Sequence, residues 1–176
     1  VLDPEVLTSI LDITETGIHR HKGEEGDFVH PGDFKVIATM NPEDGELDRE
    51  VMERFSMMVD ISAIKDIEER IEIVRRVEAY RADPETFVHS NRRETEAFTA
   101  RINRARDLVR RTDMPSKVEK AIVEVTKEMG LDNDWVQDAL RQAALANAAF
   151  DDRVWVTVDD VAEVAELVLG HRVEKD

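Results

Sequence analysis

The sequence predicts a mostly helical protein in which a short α/β region precedes an all-helical domain. Residues 34–40 form a mostly apolar run without helical periodicity, which is typical of a strand buried on both faces in a parallel sheet. From residue 63 to the end, apolar residues instead recur at helical spacing. With 176 residues, of which 41% are apolar, the chain is long enough to bury a hydrophobic core. We therefore place the division between the two regions at residue 62.

The composition argues against several classes of protein. The chain has no cysteine, which excludes disulfides, cysteine-ligated metal sites and a thiol nucleophile within it. Its net charge is −16, which argues against binding to nucleic acid or to an anionic membrane surface. No apolar run approaches the roughly 18–20 residues of a membrane helix, and no signal-peptide pattern opens the sequence. We expect a cytoplasmic protein.

Two local patterns begin the α/β region. Asp3 is a suitable helix cap and Pro4 suits the first helical position, while Gly17 ends the apolar stripe that follows. Residues 18–30 then consist of two short arms around a Gly-Glu-Glu-Gly turn. The sequence thus predicts a helix that ends at Gly17 and a β-hairpin directly after it.

The rest of the α/β region predicts two strands and one short helix. The apolar strand over 34–40 runs into a polar loop over 41–47. In open α/β sheets, ligands bind beyond the carboxyl ends of the strands, so this loop is a candidate binding site. A short helix over about 48–54 and a second strand over 57–61 complete the region.

Five apolar stripes predict five helices in the helical domain. Thr157 followed by Asp160 is typical of a capped start for the last of them. We expect Trp135, Trp155 and the Met57–Met58 pair to lie in the core. The stripes are Ile67, Ile71, Val74 and Val77; Phe98, Ile102, Ala105 and Val109; Val118, Ile122 and Val125; residues 135–149; and Val161, Val164, Ala165, Val168 and Leu169.

The segment 34–61 carries the most informative motif. Residues 36–47 read Val-Ile-Ala-Thr-Met-Asn-Pro-Glu-Asp-Gly-Glu-Leu, and residues 53–55 read Glu-Arg-Phe. This string closely resembles the AAA+ ATPase subunit (I-type) of magnesium chelatase, in which a strand runs into Asn-Pro-Glu-Glu-Gly-Glu-Leu and then into a helix ending Asp-Arg-Phe. The likeness is strong over 34–87, looser over 88–150, and includes Gly-His-Arg at 170–172.

The resemblance implies the C-terminal portion of an AAA+ P-loop ATPase. Residues 1–62 would form the last part of the α/β core: the hairpin before sensor 1, the sensor 1 strand, the arginine-finger helix and the last strand. Residues 63–176 would form the helical lid. Asn41 matches sensor 1 and Arg54 matches the arginine finger, so both are the candidate catalytic and nucleotide-binding residues. From the residues alone, Asn41 is equally the start of an Asn-Pro turn and Arg54 an ordinary surface arginine.

Three features of the family pattern are missing or altered in these residues. The sequence has no Gly-x-x-x-x-Gly-Lys-Ser/Thr loop and no Walker B acid pair before the first helix, and the resemblance places both upstream. We therefore expect ATP and Mg²⁺ as cofactors of the complete parent protein, and neither cofactor nor ATPase activity for this chain alone. Where the family has its sensor 2 arginine, this sequence has Trp135 or Asp134. Either sensor 2 is lost or Arg141 partly substitutes for it.

The resemblance implies a subunit that assembles with other copies in a ring and couples ATP hydrolysis to Mg²⁺ insertion into protoporphyrin IX. Its partners would be chelatase D-type and porphyrin-binding large subunits. Two alternatives stay open: a MoxR-type AAA+ chaperone for protein remodelling or metal loading, and an interaction module whose ATPase has decayed.

Two further patterns have simpler interpretations. His19 and His21 share one side of a predicted arm, but only His30 offers a third ligand, so we expect a solvated hairpin and no metal site. Seven arginines over 92–111 predict a solvated basic stripe that pairs with neighbouring acids, or else a contact with another subunit.

Overall fold

A computed structural model describes residues 3–23, 26–41, 43, 45 and 47–173. The chain forms two compact units, residues 1–55 and residues 56–176. The first unit contains α1 (Pro4–Thr16), β1 (Ile18–Gly23), β2 (Gly26–Pro31) and α2 (Arg49–Glu53). The second contains α3 (Ile67–Ala82), α4 (Pro84–Leu108), α5 (Ser116–Glu128), α6 (Asp134–Phe150) and α7 (Val158–Leu169), with a 3₁₀ turn (Val109–Arg111) after α4.

Helix α1 begins and ends at the predicted residues. The Asp3 carboxylate accepts a hydrogen bond from the Glu5 N–H, and Pro4 takes the first turn. Gly17 ends the helix with a φ of 67°, a left-handed conformation that glycine adopts without strain. Its N–H donates to the Ile13 carbonyl at 2.8 Å. Local capping chemistry therefore decides the limits of this helix.

The predicted hairpin is confirmed as the antiparallel pair β1–β2, in which Ile18 lies opposite Pro31. The two middle residues of its Gly-Glu-Glu-Gly turn lie outside the described part of the chain. Gly32 donates its N–H to the Gly17 carbonyl at 2.9 Å. This bond ties the open end of the hairpin to the end of α1.

The two other predicted strands are wrong for this chain. Residues 34–40 and 57–61 adopt no strand structure, and Ile37 and Ile61 are 94% and 91% exposed. A strand needs a neighbour for its backbone N–H and C=O groups, and β1 and β2 form the only sheet within the described residues. The apolar sequence is present, but no neighbouring strand pairs with it.

The hydrophobic core of the second unit lies among α5, α6 and α7. The five predicted helices are present, and the last begins with the predicted capping box: Thr157 and Asp160 each bond the other's backbone N–H. The buried core consists of Val118, Ile122, Val136, Leu140, Ala144, Leu145, Ala148, Val156, Val161, Val164, Val168 and Leu169.

Helices α3 and α4 pack on each other but bury no residue fully. The predicted stripe of α3 is exposed, with Ile67 at 72% and Val74 at 56%. The prediction of core positions for four large residues is also wrong, because all are at least 41% exposed: Met57, Met58, Trp135 and Trp155. The sequence pattern identified apolar faces correctly, but it does not state what covers them.

Candidate functional site

Asn41, the candidate sensor 1 residue, lies exposed at the end of segment 34–41, which adopts no regular secondary structure. Residues 42, 44 and 46 of its loop lie outside the described part of the chain. An exposed side-chain amide has two donors and an acceptor for a ligand. The exposure of Asn41 is compatible with contact to a nucleotide, and its role stays a prediction.

Arg54, the candidate arginine finger, follows the last residue of α2 and turns its side chain toward α1. Its Nε donates to Glu15 Oε1 and its Nη2 donates to Asp12 Oδ1, each at 2.7 Å. The two carboxylates lie three residues apart on α1, a spacing that places them on one helix face. Both acids therefore accept hydrogen bonds from the same edge of the planar guanidinium.

The exposure of the three side chains differs. Arg54 is 19% exposed, while Asp12 and Glu15 are 62% and 54% exposed. The hydrogen bond to Glu15 raises the pKa of the Arg54 guanidinium above its ordinary value; burial opposes this shift, and the bond to Asp12 adds to it. The arginine thus keeps its charge while most of its side chain is covered.

The opposite edge of the Arg54 guanidinium stays available. A guanidinium has five N–H donors, and the two ion pairs use one on Nε and one on Nη2. Nη1 donates to no other residue in the described part of the chain. Arg54 can therefore keep both carboxylates and still present two donors to an oxyanion such as a phosphate oxygen.

Sequence analysis predicted Arg54 as a site residue but missed Asp12 and Glu15. They lie 42 and 39 residues before Arg54, and no local pattern links the positions. The available signal was two acids at helical spacing within α1, which alone describes an ordinary solvated helix face. Only the folded unit brings them to the arginine.

The start of α6 shows what occupies the expected sensor 2 position. Asn133 caps the helix by accepting the Trp135 N–H at 2.8 Å. Trp135 is 41% exposed, and the Arg172 guanidinium carbon lies 4.9 Å from its ring centroid. Arg172 itself is buried and donates to the Val168 carbonyl. Trp135, one of the two residues at the predicted sensor 2 position, is therefore an indole in contact with an arginine that follows α7.

Arg141 is the other candidate for the sensor 2 role. It is exposed on α6, seven residues after Asp134 and so on nearly the same helix face, about 10 Å further along the axis. Arg141 makes no ion pair with any residue that the structure describes. Its partial substitution for sensor 2 stays a prediction.

The basic stripe of α4 is partly paired with acids. Arg92 bonds Glu96 on the same helix at 2.7 Å. Arg101 and Arg104 reach the residues after α6, Asp151 at 2.9 Å and Asp152 at 3.6 Å. Four further arginines are exposed and form no ion pair within the described residues: Arg93, Arg106, Arg110 and Arg111.

The histidines of the hairpin do not assemble a metal site. His19 lies directly opposite His30, and His21 lies opposite Phe28. No group of three or more His, Asp or Glu side chains suited to a metal ion exists among the described residues. Across the same residues, no helix combines the length and the apolar character required to cross a membrane.

Comparison with known proteins adds independent information. The AAA lid domain family matches residues 137–176. The magnesium-chelatase subunit ChlI homolog of Methanocaldococcus jannaschii is 33% identical over 175 residues, which cover 99% of this chain and 48% of the relative. ChlI of Synechocystis is 31% identical over all 176 residues and 49% of its own length. The chain resembles magnesium-chelatase ChlI subunits.

This likeness to ChlI confirms the resemblance predicted from the motifs, and the chain spans about half the length of the curated relatives it matches. The fold also has a solved counterpart. The crystal structure of a proposed ATPase from Cytophaga hutchinsonii superposes with a TM-score of 0.67 over 96% of this chain and 54% of that one, at 23% identity. The fold is a part of the AAA+ core followed by a helical lid.

Proposed function

We propose that this chain is the C-terminal part of an AAA+ ATPase subunit of the magnesium-chelatase type. In the complete protein, a ring of such subunits would couple ATP hydrolysis to the insertion of Mg²⁺ into protoporphyrin IX. The observation that carries the proposal is the likeness to ChlI along the whole chain. It is supported by Arg54, the candidate finger, which two carboxylates hold. The other partners would be a D-type subunit and a porphyrin-binding large subunit.

The two candidate residues would contribute to two different ATP sites of a ring. Phosphoryl transfer depends on positioning and on compensation of charge at the transferred group. Arg54 would neutralise that charge in the site of the neighbouring subunit, and the Asn41 amide would hold the attacking water or a γ-phosphate oxygen in its own site. The sequence contains no P-loop motif for the other phosphates, so a P-loop and Walker B acids from the rest of the protein would bind ATP and Mg²⁺.

The proposal is tested with the complete protein and with its D-type and large subunits. Protoporphyrin IX, Mg²⁺ and ATP are mixed with the three proteins, and the fluorescence of the magnesium porphyrin is followed. We expect ATP-dependent insertion that requires the subunit carrying this chain. Insertion that proceeds equally without this subunit would contradict the proposal. The same assay is then repeated with a variant of Arg54. A variant of Arg49, an exposed arginine of α2 that pairs with Glu53, is its matched control.

The start of α6 favours a second candidate function. With Trp135 and Asp134 where the family has an arginine, the same fold would serve a MoxR-type chaperone that remodels proteins or loads metals, or a decayed interaction module. The assay separates these functions. A complete protein that hydrolyses ATP without promoting insertion points to remodelling, and one that binds its partners without hydrolysing ATP points to an interaction module.

A further inference from the structure

We infer that Asp12 and Glu15 are positioning residues that orient the Arg54 guanidinium for the nucleotide site of the neighbouring subunit. This inference rests on the proposed function of Arg54. Its basis is the ion-pair geometry within residues 1–55: two acids of α1 bond two different nitrogens on one edge of the guanidinium. Asp12 and Glu15 would thus act through Arg54 without touching ATP themselves.

Two hydrogen bonds restrict the orientation of the Arg54 guanidinium more than a single hydrogen bond would. A single contact leaves the guanidinium free to rotate about that contact, while bonds from Nε and Nη2 to separate carboxylates, each at 2.7 Å, fix its plane and direction. Both acids lie within one helix, so their spacing does not vary with loop motion. The free edge, Nη1 and the second Nη2 hydrogen, therefore points in a defined direction.

The exposure of the three residues favours positioning over a purely structural role. Both carboxylates are more than half exposed, and ion pairs in such surroundings contribute little to stability. Arg54 is mostly covered, so its side chain has lost much of its freedom before any ligand binds. A long side chain that is already ordered loses less entropy in the transition state, which favours catalysis.

A competing interpretation is that the acids hold Arg54 back from the phosphate. The two interpretations predict opposite signs. If Asp12 and Glu15 competed with the phosphate, removal of their charges would raise hydrolysis. Because the free edge of the guanidinium donates to no described residue, the acids leave donors available, and we expect removal of their charges to lower hydrolysis.

The test uses the complete protein with the paired substitution Asp12→Asn and Glu15→Gln, which keeps side-chain shape and removes both charges. Misplacement of a catalytic group by about 1 Å can cost on the order of 100-fold in rate, so we expect kcat for ATP hydrolysis to fall about 10- to 100-fold. The KM for ATP should change less than about 2-fold, since the finger acts on nucleotide bound by another subunit. Glu50→Gln, an exposed acid on α2, is the matched control and should leave both constants unchanged.

A kinetic double-mutant cycle distinguishes positioning from general damage. In an Arg54→Ala background, the paired substitution should lower kcat by less than about 2-fold, because the group that it positions is already absent. The inference is overturned if the effects of Arg54→Ala and of the paired substitution on kcat multiply. It is also overturned if the paired substitution alone raises kcat, or raises KM and leaves kcat unchanged. Fluorescent ATP-analogue binding and the size of the ring check folding, and Asp12→Asn alone provides a milder variant should the pair fail to assemble.

The outcomes also separate this inference from the proposed function. If Arg54→Ala retains full hydrolysis, the finger assignment fails, and the positioning role fails with it. If Arg54→Ala abolishes hydrolysis but the paired acid substitution does not lower it, the finger assignment stands and the positioning role alone is wrong.

Discussion

Arg153 and Asp160 form a doubly hydrogen-bonded ion pair at the start of α7. Nη1 and Nη2 of Arg153 donate to Oδ2 and Oδ1 of Asp160 at 2.7 and 2.5 Å. The carboxylate is 1% exposed and also accepts hydrogen bonds from the Thr157 N–H and the Asn147 side-chain amide. One acid thus joins the cap of α7 to α6 and to the connection between the two helices.

Replacing this acid should destabilise the chain in a pH-dependent way. The bonds from Arg153, and then those from Thr157 and Asn147, hold the pKa of Asp160 well below its ordinary value despite burial. At pH 7, Asp160→Asn should lower the free energy of unfolding by about 1–3 kcal/mol, because the hydrogen-bond network loses its negative charge and one of its two acceptor oxygens. Urea denaturation curves measure the change.

The sign of the pH dependence follows from the lowered pKa. An unfolded Asp has a pKa of about 3.9, so this contribution to stability is fully present above that pH and is lost as the pH falls toward the folded-state value. The difference between wild type and Asp160→Asn should therefore shrink below about pH 4. Asp159→Asn, at the exposed neighbouring position, is the control. A difference that stays constant down to pH 2 would refute the linkage.

Substitution by alanine should destabilise the chain more in the buried core around α6 than in the exposed helix α3. Leu140 is fully buried in α6, so Leu140→Ala should cost about 2–5 kcal/mol of unfolding free energy. Ile71 is 43% exposed in α3, so Ile71→Ala should cost no more than about 1 kcal/mol in this chain. Thermal unfolding of both variants measures the two losses of stability. Equal losses would contradict the position of the hydrophobic core among α5, α6 and α7.

The sequence predicted the elements whose causes are local. The cap at Asp3, the stop at Gly17 and the Thr157–Asp160 box each depend on residues within a few positions, and all are present. The strand over 34–40 depends on backbone partners that no local pattern supplies, and there the prediction failed. Arg54 could be found by resemblance, but its contact with Asp12 joins residues 42 positions apart in the sequence and depends on how residues 1–55 fold.

Residues 34–40 should gain protection when their missing neighbours are supplied. Among the residues that the structure describes, no strand pairs with their amides, so native-state hydrogen exchange in this chain alone should be fast there and slow in α6. In the complete protein, the same amides should be protected, since unpaired apolar strand segments seek partners. Light scattering tests whether the chain alone pairs with a second copy instead. A strictly monomeric chain with slow exchange over 34–40 would contradict this expectation.

The chain by itself should not hydrolyse ATP. Its 176 residues include no phosphate-cradling loop, although they include the candidate finger and sensor. A phosphate-release assay at increasing ATP concentration should give the same rate as buffer. Saturable release that tracks the purified chain through a sizing column would show this reasoning to be wrong.

Arg54→Ala should impair hydrolysis in trans. In the complete protein, we expect nucleotide affinity to stay nearly unchanged and the rate of hydrolysis to fall roughly 10³-fold or more, by analogy with other arginine fingers. Mixing this variant with one that is inactive in its own Walker B site should restore part of the rate, since one type of subunit boundary is complete again. Lost ATP affinity together with no rescue in the mixture would argue for a role within one subunit.

Gly32 restricts which side chains position 32 can carry. A Cβ at this position would lie 2.6 Å from Cγ2 of Ile13, the residue next to Asp12, so a larger side chain must displace the Ile13 side chain or else the hairpin or α1. Displacement of α1 would move the acids that hold Arg54. A missense allele at an uncharged glycine could then be inherited as a loss of enzyme activity, and genetic screens for ATPase defects should recover it beside alleles of Arg54 itself.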